Sequence, residues 1–570
     1  MRSGWRIYAI LVIARVLIAF TSRSIIHPDE HFQNPEVAAR LIFDYAKTGA
    51  EPLETWEWRA EAPCRSVAPL LVSTAPAFYL VRAFFDPSAD PSATTLHLAQ
   101  RAAMLLVSFV NDLCVYKASG SVFSLLFFAS APITSTFLVR PFSNSIECVA
   151  LSLSLWFTSR ILSNDTRYLV PLGIVMAFGV WTRVTFVAFA IPLVVAVIHQ
   201  YARTMYRGVN STLIVLARGS PACMSFAMTA YALSVLDTAY FQTERTLSDI
   251  LRNPSALVFT PLNLLKYNLS STNLAQHGLH PRYLHALVNL PMLFGIGIAS
   301  VIGALKTQLR DGKYRKPLAW NRVLLSSFIV PLALLSIQPH QEPRFLVPLV
   351  VPLALLASGS PTSSIRSISN KRKRYFVSLW ILHSVLFTAF FGYLHQGALL
   401  PTLFQLNRHL SDLNARHHGQ PAEHLRIVFW KTFMPPRHLL VPLRCGRDCP
   451  DLGTISLFDL GGASVDSLQS TLLSTLETGN VTVPSMPKST IRTLLVTPDY
   501  LFNPRELRTS PSGGSGPPAV CLTAGRIALT SEPGFEPIHL DMDRLGEMLD
   551  GVRETGWTAL RLGVWEIMQC

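Results

Sequence analysis

The sequence predicts an all-α polytopic membrane protein of about 10–12 transmembrane helices, followed by a smaller α/β domain. Three observations predict it. The 570 residues are 50% hydrophobic and only 15% charged, with a mean hydropathy of +0.33; an average soluble domain carries about 25% charged residues. The apolar residues fall in runs near the roughly 20 residues that a helix needs to cross a bilayer. These runs stop at residue 395, which divides the chain into a transmembrane module, 1–395, and a C-terminal domain, 396–570.

In order, the predicted spans are 5–20, 67–85, 102–118, 121–138, 145–162, 168–198, 212–236, 286–305, 321–337, 345–358 and 376–394; 168–198 holds one long helix or two short ones. The first reads as a retained helix rather than a signal peptide, since Ile18-Ala19-Phe20-Thr21-Ser22 is a poor cleavage site. Arg2 and Arg6 hold its N-terminus in the cytosol. The basic segments Arg310–Lys316 and Lys371–Arg374 also read as cytosolic. Two ionisable loops, around His27–Pro69 and His340–Glu342, then face the opposite compartment together with the chain after 395.

Beyond 395, Arg426–Trp430 and Thr493–Thr497 read as strands and Ser510–Pro518 as a linker. Asn268 and Asn480 head glycosylation sequons that count only if lumenal, and Asn210 heads one expected on the cytosolic side.

The net charge of +14 and pI of about 9.6 belong to the short basic loops, and no basic patch interleaved with aromatics appears, so nucleic acid is not an expected partner. No glycine-rich phosphate loop, Ser-His-Asp set or HExxH is present. Cys445 and Cys449 form a close pair without the partners of a zinc site. Cys114, Cys148 and Cys223 lie in or beside apolar runs and read as packing.

The chemistry concentrates in a few polar stretches. His27-Pro28-Asp29-Glu30-His31-Phe32-Gln33 sets two carboxylates between two histidines at the exit of the first span. Charges near lipid are costly to keep, and a carboxylate there can act as general base on a hydroxyl. The competing reading makes Asp29 the N-cap of a short amphipathic helix, Glu30 to Arg40. In His340-Gln341-Glu342-Pro343-Arg344-Phe345, a histidine and an arginine can bind a phosphate; alternatively Arg344 snorkels at the interface beside Glu342. Arg140-Pro141-Phe142-Ser143-Asn144-Ser145-Ile146-Glu147 reads first as a helix cap, with substrate contact as the alternative. His277, His280, Arg282 and His285 crowd a turn-rich loop that suits a sugar-reading pocket better than a metal site, since no carboxylate lies near.

Four of these stretches, in this order, resemble the dolichyl-phosphate-mannose-dependent α-mannosyltransferases of the endoplasmic reticulum. They are His27–Gln33 with Glu36-Val37, Thr55-Trp56-Glu57 with Pro63 and Arg65-Ser66, Phe142–Glu147, and His340-Gln341-Glu342 with Arg344-Phe345. The likeness runs from about residue 5 to 400. His27, Asn273–Tyr283 and Phe391–Gln396 are most similar to the branch that adds the fourth, α-1,2-linked mannose to the glycosylphosphatidylinositol (GPI) precursor.

The resemblance implies a family C glycosyltransferase (GT-C) fold, a lumenal active site and an inverting transfer without metal or cofactor. Its partners would be dolichyl phosphate mannose, the GPI glycolipid precursor and the endoplasmic reticulum membrane. Asp29 would be the base and Glu30 would position the acceptor; His340 and Arg344 would hold the donor phosphate. His27, His31, Gln33, His277, His280 and Arg282 would contact the sugars. The alternatives are a related mannosyltransferase for another acceptor (the third GPI mannose or an N-glycan precursor) and a lipid or polyol transporter, disfavoured because no internal repeat appears.

Overall fold

The computed structural model describes residues 2–43, 52–84, 91–203, 211–275, 278–310, 320–358, 370–416, 424–440, 455–477, 491–502, 522–527 and 537–569. Among them, seven helices are long and apolar enough to cross a membrane: Ser3–Thr21, Ala93–Ser119, Ser143–Leu162, Ala217–Phe241, His285–Lys306, Trp320–Ile337 and Arg374–Leu394. Three shorter apolar helices, Thr166–Thr182, Phe186–Ala202 and Pro343–Ala357, accompany them.

Local chemistry explains where predicted spans are interrupted. The run 121–138 divides into Val122–Ser130 and Pro132–Thr136, because Ala131 is extended ahead of Pro132. The run 67–85 divides into Ala68–Leu71 and Thr74–Phe84. The run 168–198 is two helices, Leu169–Thr182 and Phe186–Arg203, separated by an extended Arg183. The last helix-forming part of 345–358 starts as a 3-10 turn, Pro343–Leu349, before Val350–Ser358.

The chain forms two compact units. The first comprises residues 1–20, 54–76 and 100–388. Its first helix exposes Ile7, Ile10, Ile13 and Leu17, as a lipid-facing surface should. Arg15 nevertheless lies fully buried in it, paired with Asp112 at 3.1 Å, while the Tyr8 hydroxyl donates to the other Asp112 oxygen at 2.6 Å. A charge inside a span survives only with such partners. Gly173 lets Leu169–Thr182 approach Ser211–Phe241 closely: a Cβ there would stand 2.2 Å from the Ala222 carbonyl oxygen. Cys114 and Cys148 are buried as expected, whereas Cys223 is exposed on its helix.

The second unit comprises residues 21–53, 77–99 and 389–570, so the loop that follows the first span belongs with the C-terminal domain. Helix Leu399–Arg416 is amphipathic and buries Leu399, Leu403, Leu406 and Leu410 at helical spacing. Both expected strands are present and adjacent. Strand β1 (His424–Phe429) pairs in parallel with β2 (Ile455–Asp459) and β3 (Ile491–Pro498); β5 (Leu562–Gln569) pairs antiparallel with β3 and with β4 (Leu522–Arg526). The sheet order is β2-β1-β3-β5-β4. Helix Val465–Glu477 buries Leu468 and Leu472 against Val428, Leu495 and Ile567. Each such side chain contributes about 1.5–3 kcal/mol. The expected linker at 510–518, the Cys445–Cys449 pair, the basic residues 311–316, Asn210 and Asn480 lie outside the described residues; Asn268 sits in helix Thr260–Leu269.

Candidate active site

The predicted site residues fall into two groups, one in each unit. In the second unit, Pro28 fixes the turn into a short helix, Asp29–Phe32, and Pro35 starts the next, Pro35–Ile42. The single helix expected over 30–40 is therefore broken at Gln33-Asn34. Pro28 occupies the N-cap position and no side chain caps the helix, so Asp29 is not a cap. Its carboxylate accepts instead from the Gln33 side-chain amide through Oδ2. The Asp29 backbone N–H donates to His27 Nδ1 at 3.2 Å, and that ring nitrogen lies 3.6 Å from Asp29 Oδ1.

Exposure separates the two carboxylates. The Asp29 side chain is 25% exposed and Glu30 not at all. Glu30 Oε2 accepts from the Ile26 N–H at 3.4 Å, and Oε1 lies 3.9 Å from the buried His31 Nε2. Below them is a pair that sequence reasoning missed. Glu36 is fully buried, and its Oε1 accepts from both the backbone N–H and the Nδ1 of His438, each at 3.1 Å. The His438 and His31 rings stand 5.9 Å apart. An acidic residue on the apolar face of Pro35–Ile42 was the available signal, because a buried carboxylate demands a partner.

In the first unit, two loops are joined by Gln341. Its Oε1 accepts from the His285 N–H at 2.8 Å, and its amide lies within reach of the Ser336, Gln338 and Arg282 carbonyls. His280 is tied into this seam: its N–H donates to the Pro339 carbonyl, and its Nδ1 accepts from the Gln341 N–H at 3.2 Å. The Arg282 side chain points into the exposed surface, and His277 lies outside the described residues.

His340 has two acceptors, Glu342 Oε1 at 2.7 Å from Nε2 and the Gly278 carbonyl at 3.1 Å from Nδ1. Only the imidazolium offers two N–H donors. Burial pulls its pKa down, but the hydrogen bond to Glu342, that carboxylate's charge and the Gly278 carbonyl outweigh burial and hold it above the ordinary histidine value. Arg344 donates to Glu342 from Nε and is only 7% exposed, so it is held inside rather than snorkelling.

Phe142–Glu147 serves a different purpose from the cap expected of it. Phe142 holds the N-cap position of Ser143–Leu162 without a side-chain bond. The Ser143 hydroxyl instead accepts from Arg183 Nη1 at 2.7 Å, and Glu147 lies 3.5 Å from Arg183 Nε while accepting from Thr185 at 2.7 Å. The Arg183 and Arg344 guanidinium groups lie 5.2 and 5.7 Å from the Phe345 ring centre. Burial, then the charge of Arg65, opposed by Glu147 and again aided by Arg344, bring Arg183 down to about 10. Arg65 itself donates twice to Glu57 Oε1, at 2.9 and 2.6 Å. Among the described residues, no group of three or more His, Cys, Asp or Glu is placed to hold a metal ion.

A model of the Alg9-like mannosyltransferase family matches residues 6–442. The chain belongs to that family. It is 33% identical over 460 residues to GPI mannosyltransferase 4 of Aspergillus oryzae, covering 76% of this chain and 77% of that one. It is 32% identical to GPI alpha-1,2-mannosyltransferase 4 of Homo sapiens, covering 79% and 77%. The solved structure of ArnT from Cupriavidus metallidurans bound to undecaprenyl phosphate aligns over 99% of this chain and 98% of its own, with 13% identity and a TM-score of 0.48. As an Alg9-like mannosyltransferase the chain is a multi-pass membrane enzyme, and the family match takes in both residue groups, His438 included.

Proposed function

We propose that this enzyme transfers mannose from dolichyl phosphate mannose to the third mannose of the GPI precursor, in α-1,2 linkage, at the lumenal face of the endoplasmic reticulum membrane. The similarity to relatives named GPI mannosyltransferase 4 supports the acceptor. The observation that carries the chemistry is Asp29: a partly exposed carboxylate, aimed by Gln33 and set beside a buried Glu30. It takes the proton of the acceptor's 2-hydroxyl as that oxygen attacks C1 of the donor mannose. The C1–O bond to phosphate breaks, and its electron pair leaves on dolichyl phosphate. One displacement turns the β-linked donor into an α-linked product.

His340 and Arg344 hold the donor phosphate and neutralise the charge it gains. Cationic side chains suffice for one phosphodiester charge, so no metal or cofactor takes part. On this reading His27, His280 and Arg282 contact the sugars and Gln33 orients Asp29, whereas His31, expected to contact them too, is fully buried. The test is mass spectrometry of GPI precursors in cells whose only copy carries Asp29→Asn. A three-mannose precursor should accumulate. A two-mannose precursor or a truncated N-glycan donor would move the acceptor, and a normal profile at normal protein level would remove Asp29 from the reaction.

A further inference from the structure

We propose that Arg183 and Arg65 complete, with Arg344, the binding site for the donor's phosphodiester. The inference rests on the reading of His340 and Arg344 as donor-phosphate ligands, and it adds residues from two further stretches of chain.

The three arginines are 6–7% exposed. Each has a carboxylate: Glu57 for Arg65, Glu147 for Arg183 and Glu342 for Arg344. If neutralising those carboxylates were their whole purpose, the pairs would be better kept apart, because buried like charges repel. Instead burial, then the charge of Arg65 and that of Arg344, loosen Arg183's hold on its proton against the opposing pull of Glu147 and Glu342. An anion between them relieves that repulsion.

The geometry fits a receptor as well. Arg183 sits in the extended break between Leu169–Thr182 and Phe186–Arg203, and its fork is fixed by Ser143, Thr185 and Glu147. Phe345 packs against both Arg183 and Arg344, which brings the two guanidinium groups to one ring. Arg65 Nη1 is buried and has no hydrogen-bond partner among the described residues. A buried N–H without an acceptor costs about 1–3 kcal/mol, and a phosphate oxygen would remove that cost. Guanidinium suits this task because its five N–H donors can serve a carboxylate or hydroxyl on one edge and still offer an N–H to a phosphate oxygen on another.

The experiment uses full-length chain in microsomes, with dolichyl phosphate mannose as donor and three-mannose GPI precursor as acceptor. The KM of each substrate and kcat are measured for Arg183→Lys, Arg65→Lys and Arg344→Lys, with inhibition by dolichyl phosphate as a second readout. Lysine keeps the charge that pairs Glu147 or Glu57 and removes the fork. The inference expects Arg183→Lys and Arg65→Lys each to raise the donor KM about tenfold, equivalent to about 1.4 kcal/mol. The acceptor KM should stay within twofold, and dolichyl phosphate should inhibit less. If Arg344→Lys raises the donor KM while Arg183→Lys and Arg65→Lys do not, the inference fails and the phosphate site stands as His340 and Arg344. If all three leave the donor KM unchanged, the underlying phosphate-site reading fails with it. If Arg183→Lys does not accumulate as folded protein, Arg65→Lys decides the matter by the same measurement.

Discussion

Replacing Asp29 and Glu30 one at a time separates the two carboxylates, and the expected sizes follow from their surroundings. Asp29 is partly exposed and oriented by Gln33, so a substrate hydroxyl can reach it. General base catalysis contributes about 10²–10⁴-fold, or about 3–5 kcal/mol of barrier. Asn keeps the shape and the acceptor oxygen but cannot take the proton. Asp29→Asn should therefore cost about a hundredfold or more in kcat with little change in abundance. Glu30 has no exposed surface, and its Oε2 accepts a long 3.4 Å bond from the Ile26 N–H. Gln can still accept that bond, but its amide group must find acceptors in a buried space, at about 1–3 kcal/mol of stability. Glu30→Gln should lower the amount of folded enzyme and reduce kcat less than tenfold. The assay is transfer of radiolabelled mannose by microsomes, with rates normalised to immunoblotted chain. A hundredfold loss for Glu30→Gln at normal abundance, with Asp29→Asn within tenfold of wild type, would refute the reasoning and make Glu30 the base.

Three further outcomes are expected. His340 faces Glu342, Arg344, His280 and the Gly278 carbonyl; burial and the Arg344 charge lower its pKa, but Glu342 and the Gly278 carbonyl outweigh them and hold it above the ordinary value. Its positive charge is therefore complete below the ordinary histidine value and is lost as pH rises through the raised one. The donor KM should rise over that alkaline range, and a pH series on His340→Gln should show that limb flattened. Arg15→Leu strands Asp112 inside a span and should cost about 3–5 kcal/mol, whereas Arg15→Leu with Asp112→Leu should recover most of it; thermal inactivation half-lives of the detergent-solubilised chain report the order. The proposed mechanism neutralises the donor phosphate with cationic side chains alone, so on it excess EDTA should leave mannose transfer unchanged, and a loss restored by added Mn²⁺ or Mg²⁺ would overturn the metal-free reading.

Much of this molecule could be read locally. Composition and apolar runs identify the helical membrane part, and the short apolar runs Ile427–Trp430 and Leu494–Val496 identify β1 and β3, which are neighbours in the sheet. The carboxylates of His27–Gln33 and the cations of His340–Phe345 stand out because charge beside lipid needs a reason. Arg183 was legible by the same rule: an arginine inside the apolar run 168–198 signals either a break or a site, and here it marks both. Ser143 and Glu147 were harder, since serine, asparagine and glutamate at a helix start fit a cap equally well. Sequence alone does not link them to the arginine that claims them, 40 residues on from Ser143.

The Glu36–His438 pair lies at the far limit of legibility. Its members are separated by 402 positions, and nothing around His438 marks it. Yet its physical consequence is direct. Glu36 opens the helix that follows the Asp29 turn, and its buried carboxylate takes two donors from a single residue beyond the last span. The backbone N–H survives substitution by leucine or asparagine, so His438→Leu removes one charge-assisted bond, worth about 1.5–3 kcal/mol. His438→Asn returns a side-chain donor near the position of Nδ1. If the C-terminal segment serves only to anchor that helix, both variants should track protein abundance and leave the specific activity of the remaining enzyme unchanged. If it also aims Asp29, His438→Leu should lower kcat per folded molecule and His438→Asn should restore it. The ratio of activity to folded chain distinguishes a brace from a positioning residue.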